Sequence, residues 1–152
     1  MARGEAKTVV VGVDHSEGAK EALRFALEEA KLRGASVRAV HAWTFVPPGA
    51  GFMEAEHTWA DVDVSELHGA AEAALESTIA EVSAADTGVT IERRVVEGSP
   101  AGVLVDEARD ADLLVVGSRG HGGFTGLLLG SVSQQVAHHA ACPVVIVRAR
   151  KD

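Results

Sequence analysis

Near its C-terminal end the chain reads Leu113-Leu114-Val115-Val116-Gly117-Ser118-Arg119-Gly120-His121-Gly122-Gly123-Phe124-Thr125-Gly126-Leu127-Leu128-Leu129-Gly130-Ser131-Val132-Ser133. This is an apolar run of strand type, a glycine-studded loop and then a helix start. Such an order of residue types can hold a phosphate. The strand brings the loop to the edge of a sheet, glycines let backbone N–H groups approach an anion, and the helix N-terminus adds partial positive charge. Arg119 and His121 add local positive character. Each has a plain alternative as a solvated loop side chain.

The common phosphate-binding and catalytic fingerprints do not fit. A P-loop needs a lysine between its last glycine and its hydroxyl, and Gly130-Ser131 has none. The dinucleotide fingerprint belongs after the first strand of a βαβ unit, whereas Gly120-His121-Gly122-Gly123-Phe124-Thr125 lies late in the chain and has threonine in the last position. Asp14-His15-Ser16 cannot act as a hydrolytic triad, because neighbours around a turn project in different directions and no G-x-S-x-G elbow is present. An ATPase would require a carboxylate or glutamine to orient water and a cation on the phosphates, of which only Arg119 is on offer. The sequence therefore favours binding over turnover, with slow hydrolysis as the most it could support.

The elements that must carry this loop alternate between strand-like runs and helical patterns, the mark of βαβ units on a parallel sheet. Thr8 to Val13 reads as strand one. Ser16 caps a helix to about Arg33 with a buried stripe of Ala22, Leu23, Phe25, Ala26 and Ala30, and Gly34 ends it. Val37 to Ala42 is strand two, Leu67 to about Ala84 a helix, and Val89 to Val96 strand three. Ser99-Pro100 starts a short helix to about Arg109, Asp112 to Val116 is strand four, Gly130 to Ala140 the last helix and Val144 to Val147 strand five. Trp43 to Val64 holds Pro47-Pro48-Gly49-Ala50-Gly51 and no periodicity. It reads as a long surface loop, either a lid or a variable insertion with Trp43 or Trp59 tucked against the body.

Composition narrows the class. The 152 residues suit one α/β domain over the whole chain, with a core from about residue 7 to 149. A net charge of −8 with no basic stretch argues against a nucleic-acid partner. Met1 to Lys7 has no apolar region of signal-peptide length, and no run approaches the roughly 20 apolar residues that span a bilayer, so a cytoplasmic protein without a membrane partner is expected. The single cysteine, Cys142, reads as a core residue. His138 and His139 diverge by about 100° on a helix, and no cysteine–histidine cluster suggests a structural zinc.

The spacing Gly117-x2-Gly120-x9-Gly130-Ser131, with Ser133 beyond it and Val9-Val10-Val11-Gly12-Val13-Asp14-His15-Ser16 at the start of the chain, resembles the universal stress protein family in its ATP-binding branch. The similarity runs from about Lys7 to Arg148. It implies a doubly wound, five-stranded parallel sheet of order 3-2-1-4-5 with helices on both faces, and a site where strands one and four part. It further implies ATP or a related adenine nucleotide as ligand, with or without Mg2+. The site residues implied are Gly12, Val13, Asp14 and Ala42 around ribose and adenine, Val116 and Gly117 at the end of strand four, and Arg119, Gly120, Gly130, Ser131, Val132 and Ser133 on the phosphates. Asp14 keeps the alternative of a helix-capping or turn carboxylate. His41 reads as a strand histidine hydrogen-bonded to backbone. The resemblance also implies a homodimer paired through the Val144 to Val147 strand, whose edge would otherwise stand apolar and open. Two functions follow: a nucleotide-responsive regulator in stress response, or a dimeric scaffold for protein partners that works without nucleotide.

Overall fold

A computed structural model describes residues 6–44, 63–83, 88–118 and 129–149. Its elements are β1 (Thr8–Gly12), α1 (Glu17–Arg33), β2 (Ser36–Trp43), α2 (Val64–Val82), β3 (Ile91–Glu97), α3 (Pro100–Glu107), β4 (Leu113–Gly117), α4 (Ser131–His139) and β5 (Val144–Val147). The strands form one sheet in the order β3-β2-β1-β4-β5, and every pairing is parallel. This is the doubly wound order expected from the sequence.

Because side chains alternate across a strand, β1 divides its valines between two cores. Val9 and Val11, followed by Val13, pack with Leu23 and Leu27 of α1, Leu75 and Ile79 of α2, and Val115 of β4. Val10 packs on the opposite face with Val40, with Leu104 of α3 and with Val136 of α4. The central strand is thus buried on both sides, as a parallel sheet requires, and its carboxyl end is left as the place where the chain can meet a ligand. Among the described residues no helix is long and apolar enough to cross a membrane.

Strand β5 and helix α1 have the expected ends, and the other element ends differ from the sequence expectation by at most three residues. Val13 leaves the strand assignment yet still donates its N–H to the Val40 carbonyl at 2.9 Å. Trp43 belongs to β2 and Val64 to α2, so the loop expected over Trp43 to Val64 is shorter at both ends, while its residues 45–62 lie outside the described residues. The start of α2 is set by Asp63, whose carboxylate accepts from the Ser65 N–H at 2.9 Å. The Ser65 hydroxyl donates to the same oxygen at 2.5 Å, and this bond together with the one from the N–H holds the Asp63 carboxyl below its ordinary range. Ser99 occupies the α3 N-cap with extended backbone but makes no side-chain cap bond, leaving Pro100 as the effective start signal. Cys142 is half-buried against the second core, and burial pushes its thiol up.

Candidate functional site

The order in which successive strands join the sheet reverses between β1 and β4, so the turns that leave their carboxyl ends diverge and open a crevice. The β1 to β4 register pairs Val9 with Leu113, Val10 with Leu114 and Val11 with Val115. Continued by two steps, it sets Gly12 beside Val116 and Val13 beside Gly117. Asp14 and Ser118 therefore leave the sheet next to one another. Ala42 lies in β2 two residues past Val40, the partner of Gly12, so it extends beyond the end of β1 onto the same rim.

On the β1 side, the turn is fully built by hydrogen bonds. Asp14 Oδ1 accepts from the Ser16 N–H at 3.1 Å and from the Ser16 hydroxyl at 2.5 Å. The Ser16 hydroxyl oxygen in turn accepts from the Ala19 N–H at 3.0 Å and caps α1. Asp14 thus meets its turn-forming alternative with one carboxylate oxygen, and no described residue donates to the other. His15 follows with φ +72°, a left-handed conformation uncommon for a residue with a Cβ. His41 on β2 donates from Nδ1 to the Val13 carbonyl at 2.7 Å, in keeping with the backbone-bonded strand histidine read from the sequence.

On the β4 side, the loop returns to the strand it left. The Gly130 N–H donates to the Ser118 carbonyl at 2.6 Å. The Ser133 hydroxyl, on a residue only 2% exposed, lies 3.0 Å from that carbonyl and 2.9 Å from the Gly130 carbonyl. The side chain of Ser133 therefore bolts α4 to the end of β4, and a phosphate could use only its backbone N–H. Gly130 is the N-cap and has no side chain, so α4 opens without a side-chain cap. The N–H groups of Ser131, Val132 and Ser133 are the ones an α-helix cannot satisfy within itself. Arg119 and Gly120 of the expected set, with His121, lie outside the described residues.

The glycines of the two strands have packing duties that their spacing does not reveal. A Cβ on Gly117 would stand 3.0 Å from the backbone C and O of Gly18 in α1. One on Gly12 would meet Leu104 Cδ1 of α3 at 2.8 Å. Gly18 has no motif to mark it, and its only sequence signal is a glycine placed in the first turn of a helix at a cost in helix propensity. Sequence reading also passed over Ser118, whose part is played by its carbonyl and left no trace in residue type.

A second concavity of about 390 Å³ lies between α2 and β3, lined by His68, Glu72, Leu75, Glu76, Arg93, Arg94 and Val95. Its arginines are already paired. Arg93 grips Glu76 at 2.6 and 2.8 Å and holds that carboxyl below its ordinary range. Arg94 pairs with Glu107 and His68 with Glu72. The crevice, with an open carboxylate oxygen on one wall and uncapped N–H groups on the other, is the better place for a polar ligand.

The universal stress protein family profile matches residues 5–148. A universal stress protein of Mycolicibacterium smegmatis is 39% identical over 146 residues, covering 93% of this chain and 46% of that relative. The chain thus spans about half the length of the curated relatives it matches. A universal stress protein solved in complex with cAMP is 29% identical with TM-score 0.60, covering 95% of this chain and 98% of the other. The universal stress protein from Archaeoglobus fulgidus in complex with dAMP is 28% identical with TM-score 0.54, covering 93% and 97%. With the fold, the glycine and serine spacing and these matches in agreement, the chain belongs to the universal stress protein family.

Proposed function

We propose that this chain binds ATP in the β1/β4 crevice and serves in the cytoplasm as a nucleotide-responsive regulator in stress response, with hydrolysis slow at most. The observation that carries the reading is the uncapped N-terminus of α4, opened by Gly130 and tied to the end of β4, set across from Asp14 at the end of β1. In this arrangement Gly12 and Val13 form a wall, Asp14 takes the ribose through its unused carboxylate oxygen, and Ala42 borders the adenine. Val116 and Gly117 floor the crevice. Arg119, Gly120, Gly130, Ser131, Val132 and Ser133 serve the phosphates, the last three through backbone N–H groups and helix charge and Gly130 by opening the helix without a side chain, its own N–H being held by Ser118. Complexes of relatives with cAMP and dAMP support an adenine nucleotide. Any Mg2+ travels with the triphosphate, with no ligand set of this chain assigned to it.

Saturation with Mg-ATP at a hundred times Kd adds about 2.7 kcal/mol to stability, which in a domain of this size raises Tm by roughly 5–10 °C. Thermal unfolding of protein freed of co-purified nucleotide, with and without excess Mg-ATP, is the test. An absent shift rejects the reading and moves the choice to the nucleotide-independent scaffold.

The scaffold reading has its own observation. Of the two sheet edges, β3 carries Glu92, Arg93 and Arg94, charges that guard an edge against pairing. The other edge, β5, reads Val-Val-Ile-Val and is only half-buried. We expect two copies to pair along β5, so sedimentation at micromolar concentration gives a dimer, and Ile146→Lys shifts it to monomer. A monomer from the unchanged chain removes this expectation.

A further inference from the structure

The turn that carries Asp14 is held by side chains from two other elements, and the sequence places neither near it. We propose that His41 is a positioning residue for the nucleotide site, fixing Asp14 by holding the carbonyl of Val13. This deepens the adenine-nucleotide reading and rests on it. A carbonyl can only accept, so at 2.7 Å the proton lies on His41 Nδ1. Val13 is 3% exposed, and its N–H already points to Val40. Both backbone groups of Val13 are therefore anchored on β2, one through the sheet and one through an imidazole.

Beyond Val13 the chain has no sheet partner and must turn within three residues to reach the Ser16 cap. His15 accomplishes this in a left-handed conformation, and its ring lies against His41 with centroids 4.8 Å apart and planes tilted by 48°. His15 Nδ1 also stands 3.4 Å from Thr78 Oγ1 on α2. The Thr78 hydroxyl donates to the Ala74 carbonyl at 3.1 Å, which leaves its oxygen to accept from His15. Asp14 is the one residue between these two anchored positions. Its backbone is set by Val13 before it and His15 after it, both of which lean on the His41 ring, and from that backbone the two hydrogen bonds from Ser16 to Oδ1 direct the carboxylate and turn Oδ2 outward. A ribose hydroxyl needs that oxygen within a few tenths of an ångström of its place, so the ring acts on the ligand without touching it.

The side-chain nitrogen Nδ2 of asparagine superimposes on histidine Nδ1, whereas the glutamine amide reaches toward Nε2. Calorimetric titration with ATP and with adenosine of the unchanged protein, His41→Asn, His41→Gln and His41→Leu separates donor placement from polarity and from folding. His41→Asn should bind within about threefold of the unchanged protein, and His41→Gln and His41→Leu on the order of tenfold or more weaker, the scale on which removing an orienting partner acts elsewhere. The loss should be equal for ATP and adenosine, because the turn meets the nucleoside and not the phosphates. Long-range 1H–15N correlation of the His41 ring should report the Nδ1-protonated tautomer. An Nε2-protonated ring, or full affinity in a folded His41→Gln or His41→Leu protein, overturns the inference while leaving the nucleotide reading standing. Failure of the unchanged protein to bind either ligand overturns both.

Discussion

Ser131→Glu weakens ATP binding about thirty- to a hundredfold while leaving Tm unchanged or slightly raised. The side chain of Ser131 is exposed at the first position of α4, so the replacement adds a carboxylate without disturbing a core. A second negative charge about 5 Å from a phosphate at an effective dielectric of about 20 costs roughly 3 kcal/mol, reduced to about 2–3 by salt, and each 1.4 kcal/mol is about tenfold in Kd. The same carboxylate is favourable to the free helix, adding about 0.3–1 kcal/mol against the macrodipole. Stability and affinity therefore move in opposite directions, which a general loss of folding cannot imitate. Titration with ATP, with adenosine as the uncharged control, reads the result: adenosine affinity should hold. Equal affinity for ATP in the variant would place the phosphates elsewhere.

The fold was legible because its strongest signals are local. β1, β4 and β5 are continuous apolar runs, and α1 has a serine cap, a periodic stripe and a terminal glycine that takes φ +64°. The start of α2 was misplaced by three residues because Asp63 follows a stretch without periodicity, and a cap is readable only when the helix after it is already in view. Of the site, the β1/β4 crevice came from strand order, and the glycine and serine positions came from the motif. The joint of Ser133 and Gly130 to Ser118 was not readable, since it uses a backbone carbonyl that any residue would present. His15 and Thr78 are 63 residues apart in sequence, and only the packing of α2 beside α1 brings them together. What escaped the sequence is thus the support of the candidate site, made from carbonyls and from contacts between separate elements, whereas the lining proposed for it rests on residue type and spacing.

Gly117→Ala separates the two duties that this glycine could have. In the first, glycine is present so that backbone and phosphate can approach, and the substitution lowers ATP affinity at constant Tm. In the second, glycine lets β4 lie against α1. The new Cβ would be 3.0 Å from Gly18 C and O and 3.4 Å from its Cα, all backbone atoms that cannot rotate away. To make room, α1 must lift as a body, and it carries Ala22, Leu23, Ala26 and Leu27 in the first core. Overpacking of this kind costs about 1–3 kcal/mol, and with no flexible neighbour the upper half applies, so Tm should fall by roughly 4–10 °C without any ligand present. Gly12→Ala is the internal comparison, because its obstacle at 2.8 Å is the tip of the Leu104 side chain, which can change rotamer, and its Tm should fall by less. A ligand-free Tm for Gly117→Ala equal to that of the unchanged protein would assign the glycine to the nucleotide. The expected fall assigns it to the sheet, so that the same residue whose spacing signals a binding loop is required first to let the loop's own strand dock.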